Sequence, residues 1–153
     1  MLPEQPAERV RVLLERIVEE LGLEASVAVS EGEEEIHADV EGDEVGLLIG
    51  RHGQTIDAVQ HLAFKVAAQG QADAPKVEVD AAGYRDRRRQ ALERQADQAA
   101  ADALRSARPV ALDAMSATER KVVHEYLKDR DGVETYSEGT EPDRHLVVAP
   151  LRH

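Results

Sequence analysis

Residues 50–53, Gly-Arg-His-Gly, constrain the fold of this chain more than any other feature of its sequence. The tetrapeptide lies between a short apolar run, residues 45–49, and a helical pattern that begins at Thr55. Two glycines at this spacing predict a tight turn between two helices, because glycine adopts left-handed backbone angles at little steric cost. Such a turn lets a phosphate approach the backbone, and the following helix offers free N–H groups to the anion. A purely structural connection between two helices fits the same tetrapeptide.

The length and composition of the chain limit the classes of protein to which it can belong. The chain has 153 residues, enough for one core or two small ones, and it has no cysteine, which excludes a disulfide framework and thiolate chemistry. No apolar run approaches the roughly 18 residues of a membrane helix, and residues 1–10 lack the apolar segment of a signal peptide. We therefore expect a cytoplasmic protein without direct membrane insertion.

The net charge of −12 is distributed unevenly. Residues 1–42 carry 12 acidic and 3 basic residues, whereas residues 81–107 carry 4 acidic and 6 basic residues. An acidic segment is repelled by phosphates, so we expect residues 1–42 to face away from any bound strand. Basic residues at the start of a helix oppose its dipole, so Arg85 and Arg88 are candidate phosphate contacts. A plain basic helix start explains them equally well.

Hydrophobic periodicity predicts the order αββααβ for the first half of the chain. The predicted helices span residues 5–22, 43–49 and 55–68, and the predicted strands span residues 26–30, 35–41 and 76–80. In the second half we predict a long helix over residues 83–107, ended by Pro109. A capping-box pattern at residues 116–119 opens another helix, and residues 133–137 and 144–149 read as a hairpin. We place the domain boundary so that residues 1–82 and 83–153 form the two domains.

Arg120 and His124 are four residues apart, so they project from one face of the capped helix. A guanidinium binds phosphate oxygens with two parallel hydrogen bonds, and an imidazole adds hydrogen bonding or stacking. The pair therefore indicates a second contact with nucleic acid, with Lys121 beside it. A solvated helix face is the plainer interpretation, and His124 could instead pack against its domain and support Arg120.

Residues 115–124, followed by residues 133–139 and 141–144, resemble an R-three-H domain, a module that is named for Arg-xxx-His and binds single-stranded nucleic acid. The order αββααβ is that of a type II KH fold. Together with residues 80–88, these stretches make the chain similar to the Jag (SpoIIIJ-associated) family of bacterial RNA-binding proteins over roughly residues 8 to 150. The resemblance implies an α+β chain: a type II KH domain, a long helix and a small R-three-H domain.

Two features depart from the Jag pattern. Longer members carry an additional N-terminal domain and linker that this sequence does not include. His52 occupies a loop position that is often basic in the family. A histidine carries little charge at pH 7, so we expect RNA affinity that is weaker or that rises on acidification.

The resemblance implies single-stranded RNA as the partner, with single-stranded DNA as an alternative. It also implies a post-transcriptional regulator or RNA chaperone linked to cell-envelope growth and division. Another KH protein or a membrane-associated regulator is an expected protein partner. The expected contacts of the KH loop and groove are Ile49, Gly50, Arg51, His52, Gly53, Gln54, Thr55 and Ile56. The expected contacts of the second domain are Arg120, Lys121, His124 and Arg144.

We expect bases to lie between the glycine loop and an aliphatic groove lined by Ile49, Ile56 and Val59, with their edges against the strand at residues 76–80. Stacking on exposed rings is not expected, because the chain has only four Phe and Tyr residues in total and most lie on apolar faces.

Neither an enzyme nor a metal or cofactor site is expected. Lys128 stands where a second histidine would complete a zinc-binding His-Glu-x-x-His, and no set of carboxylates converges for a metal-dependent nuclease. The rival hypothesis is a protein-interaction adapter, in which the acidic N-terminal half binds a partner and RNA affinity is small.

Overall fold

The computed structural model describes residues 3–152, and the chain divides into two compact units, one ending at Arg85 and the other beginning at Asp86. Each unit combines helices with a three-stranded sheet, which confirms the expected α+β class. The domain boundary expected at residues 82 and 83 stays a prediction. Within residues 3–152, no helix is long and apolar enough to cross a membrane.

The first unit follows the predicted order αββααβ. Its elements are α1 (Pro6–Glu20), β1 (Ala25–Glu31), β2 (Glu35–Gly42), α2 (Gly46–Ile49), a 3-10 turn (Arg51–Gly53), α3 (Gln54–Ala68) and β3 (Lys76–Ala81). The sheet has the order β1-β2-β3, with β1 antiparallel and β3 parallel to β2. The second helix is shorter than predicted because residues 43–45 form a turn before it.

The core of the first unit lies between the helices and one face of the sheet. The inward residues of α1, Val10, Leu14 and Val18, are buried and belong to the same cluster as alternate residues of β2 and β3. The opposite sheet face is polar, since residues 35, 37 and 39 of β2 and residues 76, 78 and 80 of β3 project there and are partly or fully exposed. One face of this sheet is therefore core, and the other meets solvent.

The second unit contains most of α4 (Tyr84–Ser106), then β4 (Val110–Ala111), α5 (Ala117–Leu127), β5 (Val133–Glu138) and β6 (His145–Pro150). The predicted hairpin is confirmed, because β5 and β6 pair antiparallel. A further strand, β4, pairs with the other side of β6 and was not predicted, because two residues are too few to show an alternating pattern. The small residues Ala96, Ala99 and Ala103 of α4 are buried in a cluster with residues of α5 and β6.

Candidate nucleic-acid interface

The glycine loop joins α2 to α3 through an unusual backbone path. Gly50, His52 and Gly53 have φ angles of 72°, 55° and 79°. The Gly50 N–H donates to the Gly46 carbonyl at 2.9 Å, and the Gly53 N–H donates to the Gly50 carbonyl at 3.3 Å. A non-glycine residue with positive φ is uncommon, so His52 is held there by the turn on either side of it.

Both glycines are required by close packing within their own unit. A Cβ on Gly50 would lie 2.7 Å from the Thr55 Cβ, and a Cβ on Gly53 would lie 2.9 Å from Tyr84 Cε1. Real Cβ atoms essentially never approach this closely, so a larger residue would displace the loop. The glycine spacing is thus explained by the turn itself, before any ligand is considered.

The loop presents its polar side chains and a helix start to solvent. The Arg51 and His52 side chains are exposed, and Gly53, the N-cap of α3, contributes no side-chain hydrogen bond. The Gln54 N–H already donates to the Arg51 carbonyl of the 3-10 turn, so the start of α3 attracts an anion through its helix dipole and the neighbouring Arg51 side chain. The predicted residues of the loop therefore lie together around one helix terminus.

The aliphatic groove that the sequence predicts is not present in the expected form. Ile56 is completely buried and Val59 is almost completely buried, so both belong to the core, while Ile49 is half-buried. The exposed aliphatic side chain next to the loop is Leu47, with 67 % exposure. The apolar run at residues 45–49 carries no periodic signal that separates its inward residues from Leu47.

The β3 strand lies at the edge of its sheet, as expected, but side chains cover part of that edge. The Val79 N–H donates to Gln60 Oε1 at 3.0 Å, and the Val79 carbonyl accepts from Arg85 Nε at 2.8 Å. The Ala81 N–H donates to Asp80 Oδ1 at 2.8 Å. Base edges would have to displace these groups to pair with Val79 or Ala81, which corrects the expected pairing along the whole strand.

The two arginines predicted to contact phosphate have protein partners within their own units. Arg85 donates to Asp57 Oδ1 at 3.0 Å and to Gln60 Oε1 at 2.9 Å. Arg88 donates to Glu119 Oε2 at 2.6 Å, and both side chains of that pair are largely buried. These partners are far apart in sequence, so no local pattern could reveal them. They explain the basic start of α4 without a phosphate.

In the second unit, Arg120 and His124 differ sharply in exposure. Arg120 is 8 % exposed and donates to the Met115 carbonyl at 2.6 Å and to Glu141 Oε1 at 3.0 Å. His124 is exposed, and its Nδ1 lies 2.5 Å from Thr135 Oγ1. Arg120, which the sequence predicts to bind phosphate, therefore stabilises its own unit through these hydrogen bonds. The histidine that could have supported it faces solvent.

Two arginines hold the turn between β5 and β6. Arg144 is half-buried and donates to the Gly139 carbonyl at 2.7 Å, while Glu141 accepts from Arg120. Lys121 lies on α5 one residue beyond Arg120 and is exposed. Of the four residues predicted in this unit, Lys121 and His124 present accessible polar groups, and Arg120 and Arg144 shape the turn.

The α5 helix itself begins as the sequence predicts. Ser116 is its N-cap, and the Ser116 Oγ accepts a hydrogen bond from the Glu119 N–H at 3.2 Å. The Glu119 carboxylate binds Arg88. The cap fixes where the helix starts and hence which residues of α5 face solvent.

Comparison with known proteins agrees with this architecture. The family described as KhpA/KhpB, KH domain, matches residues 7–80, and the R-three-H domain family matches residues 90–150. The curated "RNA-binding protein KhpB" of Bacillus subtilis is 30% identical over 149 residues, covering 96% of this chain and 72% of the relative. The chain belongs to the KhpB (Jag) family. The resemblance drawn from the sequence is thereby confirmed.

The chain covers only part of two further relatives. "RNA-binding protein KhpB" of Clostridium symbiosum is 36% identical over 132 residues, covering 86% of this chain and 60% of the relative. The protein of the same name from Lactiplantibacillus plantarum is 38% identical over 133 residues, covering 87% and 41%. The chain thus spans less than two thirds of the length of these two KhpB proteins.

Proposed function

We propose that this chain binds single-stranded RNA, and that the glycine loop is its main contact. The observation that carries the proposal is the backbone of residues 50–53, which has positive φ at three of its four positions and leads into an uncapped helix start. In KH domains a loop of this kind clamps the sugar-phosphate backbone of about four nucleotides. Membership of a family whose relatives are named RNA-binding proteins supports the same function.

The proposed loop mechanism is electrostatic. One phosphate lies at the start of α3, where the helix dipole favours negative charge. Arg51 adds a guanidinium at the same end, and the exposed Leu47 offers an apolar surface to a neighbouring base. Since part of the β3 edge is covered, few base edges are read directly, and sequence preference should be small.

The proposed second contact is the exposed part of α5. Lys121 provides a charge for a phosphate, and the His124 ring provides a hydrogen bond or a stacking surface. Arg120 and Arg144 act as positioning residues, because they hold the turn that follows β5. Two modest sites on one chain raise the affinity for a strand long enough to reach both.

Fluorescence anisotropy with single-stranded RNA oligomers of increasing length tests this proposal. The loop variant replaces Arg51→Asp and His52→Asp, and its matched control replaces His61→Asp and Lys65→Asp, two exposed residues of α3. Both variants change the charge equally, so a local contact predicts at least a tenfold loss for the loop variant and a smaller loss for the control. Equal losses would mean that only overall charge matters, and unchanged binding would refute the loop contact.

A second variant, Lys121→Ala with His124→Ala, tests the contact on α5. Its affinity should fall for long oligomers and change little for short ones that the loop alone can hold. A variant that binds all lengths like the native chain would restrict RNA binding to the KH unit.

We propose a cytoplasmic regulator or RNA chaperone linked to cell-envelope growth and division, with another KH protein or a membrane-associated regulator as partner, and no catalytic activity. RNA that stays intact after incubation with Mg²⁺ or Mn²⁺ would agree with a binder, and cleavage would contradict it. Competition by single-stranded DNA of the same sequence shows whether the 2′-hydroxyl is recognised.

A further inference from the structure

The solvent face of the first sheet brings three side chains that can bind a metal, two glutamates and one histidine, to one place. Glu35 and His37 are two residues apart on β2, so they project from the same face, and His37 lies directly opposite Glu78 of β3. The inward neighbour Ile36 is buried in the core, which holds the strand register and therefore the relative positions of the three residues.

The three side chains are already close enough to coordinate one metal ion. His37 Nδ1 lies 3.1 Å from Glu78 Oε2, and His37 Nε2 lies 3.5 Å from Glu35 Oε2. One ligand atom from each residue falls within 4.8 Å of the others. A tetrahedral zinc ion with bonds of about 2.0–2.2 Å sets its ligand atoms roughly 3.3–3.6 Å apart. Side-chain rotation alone closes the remaining gap, and exposures of 44–45% leave the three side chains free to rotate.

We propose that Glu35, His37 and Glu78 bind a divalent transition-metal ion of the zinc class. One imidazole nitrogen and two carboxylate oxygens suit such an ion, and water would complete the coordination. The imidazole separates this cluster from an ordinary acidic patch, because Mg²⁺ and Ca²⁺ prefer oxygen ligands alone. The two carboxylates balance the charge of the ion, which would link β2 to β3 on the face away from the core.

The position of Lys76 allows a separate test of this metal site. It lies opposite Glu35 on β3 and is exposed on the same face. Its ammonium group repels a cation held at Glu35, so replacing it with a neutral residue should tighten metal binding. A cation held elsewhere on the acidic surface would be much less sensitive to Lys76.

Isothermal titration of the full chain, without a histidine tag, with Zn²⁺ tests the proposal in the absence of RNA. We expect one equivalent to bind with micromolar affinity, a rise in melting temperature, and no competition from excess Mg²⁺. His37→Ala should weaken binding at least tenfold, whereas the matched control His61→Ala, an exposed histidine of α3, should bind like the native chain.

Two further measurements keep the test decisive if one variant folds poorly. Lys76→Gln should bind Zn²⁺ several-fold more tightly than the native chain, and Co²⁺ should develop visible absorption that His37→Ala abolishes. Equal binding by His37→Ala and His61→Ala, or affinity no better than millimolar, would overturn the site. Because no RNA is present, either result leaves the proposed RNA function to its own experiment.

Discussion

Arg9 and Arg120 show that arginines of this chain can serve the fold instead of a ligand. Both are almost completely buried, and both donate to backbone carbonyls. Arg9 binds the Val66 carbonyl at 2.8 Å and the Ala67 carbonyl at 2.5 Å, near the end of α3, where carbonyls lack helical partners. A sequence pattern records the charge of an arginine but not the carbonyls that the fold brings to it.

At the same scale, Gly50→Ala should damage the glycine loop. The new Cβ would crowd Thr55, and the φ of 72° disfavours any residue with a Cβ, so we expect a loss of about 1–3 kcal/mol in unfolding free energy. Urea denaturation measures the loss. Gly46→Ala is the matched control, because a Cβ there meets nothing within 4 Å. Equal stabilities of the two variants would show that the loop tolerates a side chain.

At the scale of elements, an ion-pair cluster connects α4 to the end of α5. The Asp97 carboxylate on α4 accepts from Arg130 at 2.7 Å and from the Tyr126 hydroxyl at 3.0 Å, and the Arg130 guanidinium lies 5.4 Å from the Tyr126 ring centre. The hydrogen bond from Arg130 lowers the pKa of Asp97 most, desolvation opposes this shift, and the Tyr126 hydrogen bond and the Arg130 charge lower the pKa further. The cluster is mostly exposed, so its contribution to stability is small.

Asp97→Asn tests the pH dependence of this cluster. A lowered pKa means that the folded state binds the proton less readily than the unfolded chain, whose Asp titrates near pH 4. The stabilisation is therefore present above about pH 4 and is lost as the pH falls through the lowered pKa. Melting temperatures should show a deficit of a degree or two for the variant at neutral pH, shrinking toward zero in acid. The exposed Asp131→Asn serves as the control, and a deficit that grows in acid would contradict this assignment.

At the scale of the whole molecule, charge separates the two units. Residues 1–85 carry 18 acidic and 7 basic residues, whereas residues 86–153 carry 13 acidic and 12 basic residues. The proposed loop contact thus lies on the more acidic unit, so its RNA affinity must come from local groups instead of a general positive field. Such binding involves few phosphates and should depend only moderately on salt.

The salt dependence of RNA affinity tests how many phosphates the protein contacts. Each phosphate neutralised on a single strand contributes about −0.7 to the slope of log K against log salt concentration, so two to four contacts predict a slope of about −1.5 to −3. Arg51→Gln should make the slope shallower by about 0.7, since it removes one contact. Anisotropy titrations over a range of potassium chloride concentrations check both values. A slope that Arg51→Gln leaves unchanged would remove Arg51 from the interface.

The secondary structure of this chain is easier to predict from its sequence than the contacts of its candidate site. The apolar spacing of α1, the alternation in β2 and the Ser116 cap are local signals, so those elements were predictable to within a few residues. The two-residue β4 and the shortened α2 were not, because neither has enough residues to display a period. The glycine loop was predictable as a turn, but the burial of Ile56 was not, since apolar residues beside a loop look alike in sequence.

The sequence by itself determined the order of the elements apart from β4, the resemblance to the Jag family and the glycine turn, because these depend on residues close together along the chain. Only the tertiary structure decided which charged groups have partners within the protein. It pairs Arg88 with Glu119, buries Arg120 against Met115, and sets His37 between Glu35 and Glu78. The long-range contacts among these depend on strand register and core packing, so local composition cannot predict which side chains will meet.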